Sequence, residues 1–598
     1  MDYSTWEPLF QVSTKYSISS QSLVADRNKT VYNQSVTDNI TINNLKMPFL
    51  LFILAFLLRF IYIHEFSKFP TFYHLDIDQE YYHLWAKSIV KDGFGGKDIF
   101  EMTPLYAYFL AFIIRFFTEN LYIIRLIQVL IGSLTVVLIY KIADNLFMNR
   151  RIAIVAGLAA AFYGTFILYD GMIMKTFLAV FFAVLTLYWL TKKEEERPIK
   201  YLFPGIFIGL MALVRENAIL LILGIPLYLI IKEDKKWIAS KKSLAFILGA
   251  FLVILPVTLR NYWVGKEFVL ITTGGGEVFY IGNYEQADGT YKPPPFLKTA
   301  HPLLEHEEFR QEAMKRAGRQ LTRKEYSDFW FKEGFRAIGE DPKRFLYLMY
   351  RKFIIFWNFY ERPDNQNFYF MKVSTTSLKF TLGFGIIAPL GIIGLFLSLK
   401  NWKRFLIPYA FLFVYMISVL IFFNYARFRV PAVPILIIFA ASYIDWLYSS
   451  LKVKRISKSF ISIVLLILLF LGVNYRIDGI DPYKLYFPTE YSKFGKSYML
   501  EGILVEAKKA YYNAVEMDSN SIEGHFGLGR IALKEGKLQD AVNHFQKTIT
   551  IEPDNYRGYM NLAIVYKELG RINEAQSMLE TAVKLNPNIW RMKSLSSF

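Results

Sequence analysis

Residues 121–140 read LYIIRLIQVLIGSLTVVLIY, twenty positions with one charge, Arg125. As a helix rising about 1.5 Å per residue, the stretch reaches about 30 Å, the thickness of a bilayer's hydrocarbon core. Comparable apolar runs recur near 47–63, 152–168, 172–190, 201–214, 217–231, 243–259, 377–399, 405–423, 430–448 and 459–473. They predict an all-α fold, a polytopic transmembrane bundle of about 11 spans. Composition agrees. Of 598 residues, 54% are hydrophobic, 17% aromatic and only 20% charged. The mean hydropathy is +0.27. These values argue against a soluble enzyme and against a disordered chain. The absence of cysteine excludes disulfides, thiolate zinc sites and thiol catalysis.

The net charge of +18 has two readings, nucleic-acid binding or membrane topology. Its distribution separates them. The run 104–117 would cover only about 21 Å and carries Arg115, so it is read as an interfacial helix. With a cytoplasmic N-terminus, the inner loops 141–151, 191–200, 232–242, 400–404 and 449–458 then hold 19 Lys and Arg. The outer turns 169–175, 214–218 and 424–430 hold 4. The positive-inside rule supports this orientation and removes the need for a nucleic-acid partner. It places the loops 64–120 and 260–376, and everything beyond 474, outside. The tail 1–46 falls inside, where its triplets at Asn28, Asn33 and Asn39 are read as chance in a disordered, polar segment.

A period of 34 runs through the C-terminal part. Gly502, Gly536 and Gly570 are in register, as are Ala507, Ala541 and Ala575, and Pro553 and Pro587. Leu528-Gly529 and Leu562-Ala563 repeat likewise. This is the tetratricopeptide pattern, an α-solenoid of helix pairs. The expected organisation is a tail (1–46), a membrane domain (47–474), a linker (475–487), three repeats outside the membrane (488–589) and a short tail (590–598).

Polar residues beside spans are costly to place, so where they gather is informative. The first outer loop contains His74-Leu-Asp76-Ile-Asp78-Gln-Glu80-Tyr81-Tyr82-His83-Leu-Trp85-Ala86. Acids at alternate positions suit a general base or a metal, whereas the three nearby histidines lack ligand spacing. Glu101, Asp170, Lys175, Arg215, Arg260-Asn261, Gly274-Gly275-Gly276-Glu277, Gly282-Asn283, Glu361 and Arg427-Phe-Arg429 all fall at the same membrane face. Singly, each cation is an ordinary interfacial anchor. Together with glycine-rich turns they suit an anionic, lipid-linked substrate.

These segments resemble the integral-membrane glycosyltransferases of the GT-C superfamily that use polyprenyl-phosphate sugars, the protein mannosyltransferase-like family 39 and the aminoarabinose transferases. The register of Asp78, Tyr82, Trp85 and Ala86, the Pro104-Leu-Tyr106 segment, Asp170, the Arg260-Asn261 opening of the long loop and the Arg427-Phe-Arg429-Val-Pro431 turn carry the resemblance. One departure is Gln79, where many relatives carry Glu; Asp76 or Glu80 is the expected substitute. The resemblance implies inverting sugar transfer. Asp78 would be the base, with Asp76 as the alternative, and Asp170 would favour the cationic transition state. Glu101, Lys175, Arg215, Arg260, Asn261, Asn283, Glu361, Arg427 and Arg429 would bind substrate. It implies no fixed cofactor and allows a divalent metal between Asp78 and Asp170. The expected partners are a polyprenyl-phosphate sugar in the lipid and a hydroxyl acceptor, Ser/Thr of a protein brought by the repeats. A lipid or envelope-glycan acceptor, and a non-catalytic scaffold for envelope assembly, are the alternatives. The expected location is a bacterial cytoplasmic membrane, with site and repeats on its outer side.

Overall fold

A computed structural model of the chain describes residues 46–93, 95–192, 197–297, 302–479, 481 and 485–586. The expectations for the 1–46 tail and its asparagines, for Pro587 and for the 590–598 tail therefore lie outside the described residues, Lys46 apart. The described chain is helical, and its one isolated bridge joins Tyr163 to Leu382.

Six helices are long and apolar enough to cross a membrane: Lys46–Phe66, Leu121–Phe147, Lys236–Gly265, Phe384–Asn401, Ala426–Lys452 and Ile456–Val473. The protein is an integral membrane protein with an all-α bundle. Helices also occupy the other expected spans, but Thr176–Thr191, Leu202–Val214 and Leu406–Leu420 are shorter. The run 152–168 is not one helix. It divides into Arg150–Ala161 and Gly164–Gly171, because Leu382 donates its N–H to the Phe162 carbonyl and accepts from Gly164. The same contact delays the next span, whose helix starts at Phe384 rather than 377. Small residues set the helix spacing. A Cβ on Gly205 would strike the Phe246 backbone, and one on Gly394 the Phe439 backbone. Such close approach is how apolar helices gain contact where water offers no drive.

Helix Leu105–Phe116 has 12 residues, too few to cross. Tyr106, Ala107 and Leu110 pack toward Ile77–Asp92, while Phe112 and Phe116 stay exposed. The long loop 260–376 folds into helices that include Gly275–Asn283, Pro302–Ala317, Arg323–Glu340 and Pro342–Trp357.

Beyond the bundle stand three helix pairs: Phe487–Leu500 with Leu504–Met517, Ile522–Lys534 with Leu538–Ile551, and Tyr556–Glu568 with Ile572–Leu585. Gly502, Gly536 and Gly570 turn each pair at φ +77°, +73° and +75°, a region open chiefly to glycine. The register residues Ala507, Ala541 and Ala575 are buried. Gly495 extends the Gly529/Ala563 position to the first pair, against the Tyr511 ring. Phe487 and Phe494 of that pair belong to the core of the membrane domain.

Candidate active site

Asp78 stands in the first turn of helix Ile77–Asp92, directly after Ile77 at φ +51°. A β-branched residue there is strained, and such strain persists only where neighbours over-determine the geometry. The neighbours are visible. The Asp78 N–H donates to Asn365 Oδ1 at 3.0 Å, and Asn365 Nδ2 donates back to the carboxylate at 3.3 Å. Arg427 Nη1 pairs with Asp78 Oδ2 and reaches Asp364 Oδ2 at 2.6 Å. One buried guanidinium thus lies between two carboxylates. Burial works to raise the Asp78 carboxyl, but Arg427, Lys175 and Asn365 together hold it below the usual carboxylate range. Burial raises Asp364, and the charge on Asp78 adds to that. Asp78 is the more acidic member of the pair.

These groups line a cavity of about 460 Å³. Lys175 and Arg215 face it from another side. Lys175 Nζ donates to Thr103 Oγ1 at 2.8 Å, and Arg215 Nη2 donates to Thr176 Oγ1 at 3.0 Å. Among the described residues neither has a carboxylate within ion-pair distance, and Arg215 Nε is buried without a hydrogen-bond partner. An anion entering the cavity would meet two basic side chains with no carboxylate in ion-pair contact. Val419, Phe422 and Phe428 supply an apolar wall.

The long loop supplies the remaining charges. Glu101 pairs with Arg323. His306 Nδ1 donates to Glu277 Oε2 at 2.7 Å, and Tyr291 donates to Glu305 Oε1 at 2.8 Å. Burial would lower His306, yet Glu277 lifts it to about 9. Burial pushes Glu305 up to about 7.

Of the residues singled out in the sequence, Asp78, Glu101, Lys175, Arg215, Gly274, Glu277 and Arg427 line this cavity. The others do not. Asp76 sits at the start of its helix and pairs with Lys496 at 3.3 Å. Asp170 is not an exposed outer-turn acid. Helix Gly164–Gly171 is buried throughout, and Asp170 meets Arg59 of the first span at 2.6 Å. It lines a separate, small cavity with Arg59 and Gly132. Asp78 and Asp170 thus line different cavities, and among the described residues no group of three or more His, Asp or Glu is placed to hold a metal ion. Arg260 donates to the Gly95 carbonyl at 2.7 Å and stacks 3.8 Å from the Phe100 ring. Asn261 ties Val269 and Ile271 in place. Asn283 accepts from Lys352 at 3.0 Å. Glu361 and Arg429 pair at 3.0 Å behind the cavity, where Arg429 also holds the carbonyls of Phe356 and Asn358. These residues build the frame of the site. Gln79 accepts from the Ile173 N–H at 3.1 Å, a bond that a carboxylate would accept as well, so the structure does not explain the amide. Asp364 is a second carboxylate on Arg427 that the sequence did not single out, and its signal there was only a polar Arg362-Pro363-Asp364-Asn365 turn before an apolar helix.

Residues 101–260 match the family described as dolichyl-phosphate-mannose-protein mannosyltransferase, and residues 532–595 match the tetratricopeptide repeat. The chain thus joins a segment that matches this mannosyltransferase family model to one that matches the tetratricopeptide repeat. That segment holds Glu101, Lys175 and Arg215 of the cavity; Asp78 and Arg427 flank it. Among solved structures, the chain is similar to the archaeal oligosaccharyltransferase AglB from Archaeoglobus fulgidus in complex with an inhibitory peptide and a dolichol-phosphate. The identity is 14% and the TM-score 0.40, over 71% of this chain and 54% of that one. The apo form of the Archaeoglobus fulgidus oligosaccharyltransferase gives 14% and 0.41 over the same shares. The chain thus spans about half the length of these structures. No sequence among the curated proteins matches it.

Proposed function

We propose that the protein is a membrane glycosyltransferase that moves a sugar from a polyprenyl-phosphate donor to a hydroxyl acceptor with inversion, on the outer face of a cytoplasmic membrane. The observation that carries this reading is the cavity in which Asp78, fixed by Arg427 and Asn365, shares space with two basic side chains, Lys175 and Arg215, whose hydrogen-bond partners are hydroxyls. The acceptor hydroxyl approaches Asp78, which takes its proton as the oxygen attacks the anomeric carbon. Carboxylates beside the reacting carbon favour the positive charge that builds on the sugar. Lys175 and Arg215 stabilise the charge that grows on the leaving phosphate, their partners being hydroxyls that yield to an anion. Arg427 is committed to Asp78 and Asp364, so its part is to fix the base rather than to bind phosphate.

A protein acceptor is the reading we favour, because the first repeat helix contributes Tyr486-adjacent residues Thr489, Glu490 and Lys493 to the cavity wall. The test is transfer by the purified full chain in lipid. Donors are a panel of polyprenyl-phosphate sugars with nucleotide sugars as the contrasting set, and acceptors are a mixed envelope extract. Label passing from a polyprenyl-phosphate donor into protein supports the whole reading. Label in lipid or glycan moves the acceptor, and transfer only from nucleotide sugars refutes the donor.

A further inference from the structure

The repeat domain does not merely hang beside the membrane domain. Its first helix, Phe487–Leu500, is seated in it. Phe494 lies 5.3 Å from both Phe69, tilted, and Phe370, edge-on, and Phe370 also meets Phe487 and Tyr491 edge-on at 5.2 Å. At the rim, Lys496 pairs with Asp76 and His74 meets Glu501 at 3.0 Å. Between these contacts, Lys493 points at the loop that follows Glu361. Its ammonium donates to the Asn365 carbonyl at 2.8 Å and to Glu490 Oε1 at 2.9 Å. Glu490 is buried. Asn365 in turn holds Asp78 through both its backbone N–H and its carboxylate.

We propose that helix Phe487–Leu500 is a fixed wall of the catalytic cavity and that Lys493, through Asn365, is a positioning residue for Asp78. The inference rests on the transferase reading for its effect on rate, but not for its geometry. The loop carrying Asp364 and Asn365 has no regular backbone pairing of its own between Tyr360 and helix Phe368–Ser374. It is clamped from below by Arg427 and Asp78 and from above by Lys493. Releasing the upper clamp frees Asn365 to drift, and Asp78 loses the side-chain partner that aims its carboxylate. Glu490 then also stays buried without its cation, which holds the same helix less firmly. The repeats would accordingly be part of the site itself, and any segment bound along them would reach the cavity at Glu490 and Lys493.

The experiment compares wild type, Lys493→Met, Lys493→Arg and, as a rim control, Lys496→Ala, each as full chain in lipid. Transfer is followed from whichever polyprenyl-phosphate sugar wild type uses, and binding of decaprenyl monophosphate is measured alongside. Lys493→Met should lower kcat by about 10- to 100-fold, the scale of a misplaced reacting group. The KM for donor and the monophosphate affinity should stay within about twofold, and Lys493→Arg should recover most of kcat, because it restores a charged donor without touching the phosphate subsite. Lys493→Met with wild-type kcat, or with a loss shared equally by Lys496→Ala, overturns the positioning role. Placement has its own readout. The chain has no cysteine, so Asp76→Cys/Lys496→Cys leaves only one pair to join with a short bis-methanethiosulfonate. Efficient intramolecular linkage with retained transfer supports a fixed wall; no linkage, or linkage that abolishes transfer, overturns it. Wild type that transfers no sugar sinks the transferase reading alone, and the linkage result still decides whether the helix sits on the cavity.

Discussion

Replacing Arg427 by Gln should turn a pH-insensitive base into a pH-sensitive one. In the wild-type site the guanidinium contacts Asp78 and lies 2.6 Å from Asp364. Taking charge centres about 4 Å apart and an effective dielectric of about 20, its attraction for Asp78 is about 4 kcal/mol. Without it, burial and the neighbouring Asp364 carboxylate both favour a proton on the pair. Wild-type Asp78 is held below the usual carboxylate range by Arg427, Lys175 and Asn365, so its base form resists acid. In the variant the pair holds a proton to higher pH and loses it only as pH rises. The rate relative to wild type should then be lowest at the acid end, by about tenfold, and recover toward alkaline pH. Removing one partner of a buried pair also costs about 3–5 kcal/mol, so thermal unfolding must confirm a folded variant, and Arg427→Lys provides a folded comparator with a retained charge. The assay is initial-rate sugar transfer in lipid from pH 5 to 9. A folded Arg427→Gln whose profile parallels wild type at every pH would refute the claim that Arg427 sets the charge state of Asp78.

Lys175→Met and Arg215→Met should each lower kcat/KM by about 10²- to 10³-fold, the range for losing one preorganised donor to a developing anion, and should weaken inhibition by free polyprenyl phosphate; unaltered inhibition would argue against a phosphate subsite. The Glu277–His306 pair should stabilise the long loop in a pH-dependent way. His306 titrates near 9 when folded, above its ordinary value of about 6.5, so its contribution is full below about pH 6.5 and is lost as pH rises through 9. His306→Asn should therefore lower Tm clearly at pH 6 and scarcely at pH 9.5. Gly536→Ala should destabilise the repeats by roughly 1–2 kcal/mol, because the residue turns its helix pair at positive φ with open space around it, and thermal unfolding of the full chain reads this.

What the sequence disclosed and what it hid follow from the range of the interactions. The repeats were legible because Gly502, Gly536 and Gly570 answer a local backbone demand that recurs every 34 residues. Asp78, Lys175, Arg215 and Arg427 were legible because charge beside an apolar run is costly and gathers where it is used. Asp364 was hidden because nothing local marks it; it matters only through Arg427, 63 positions later. Asp170 misled for the converse reason. It stands beside a span like an outer-turn acid, but Arg59, 111 positions earlier, meets it inside the bundle. The seat of Phe494 on Phe69 and Phe370 was equally invisible, since the repeat pattern accounts for an apolar residue there whichever way it faces.

Asp78→Asn tests the central claim most directly. The substitution keeps the shape and the link to Asn365 while removing the charge, so the fold should stand and the chemistry should fail. In purified, lipid-embedded protein with a donor that wild type uses, transfer should fall by at least about two orders of magnitude at unchanged donor binding. Transfer by Asp78→Asn at the wild-type rate would contradict the account, because Asp78 is the carboxylate that Arg427 and Asn365 fix in the cavity.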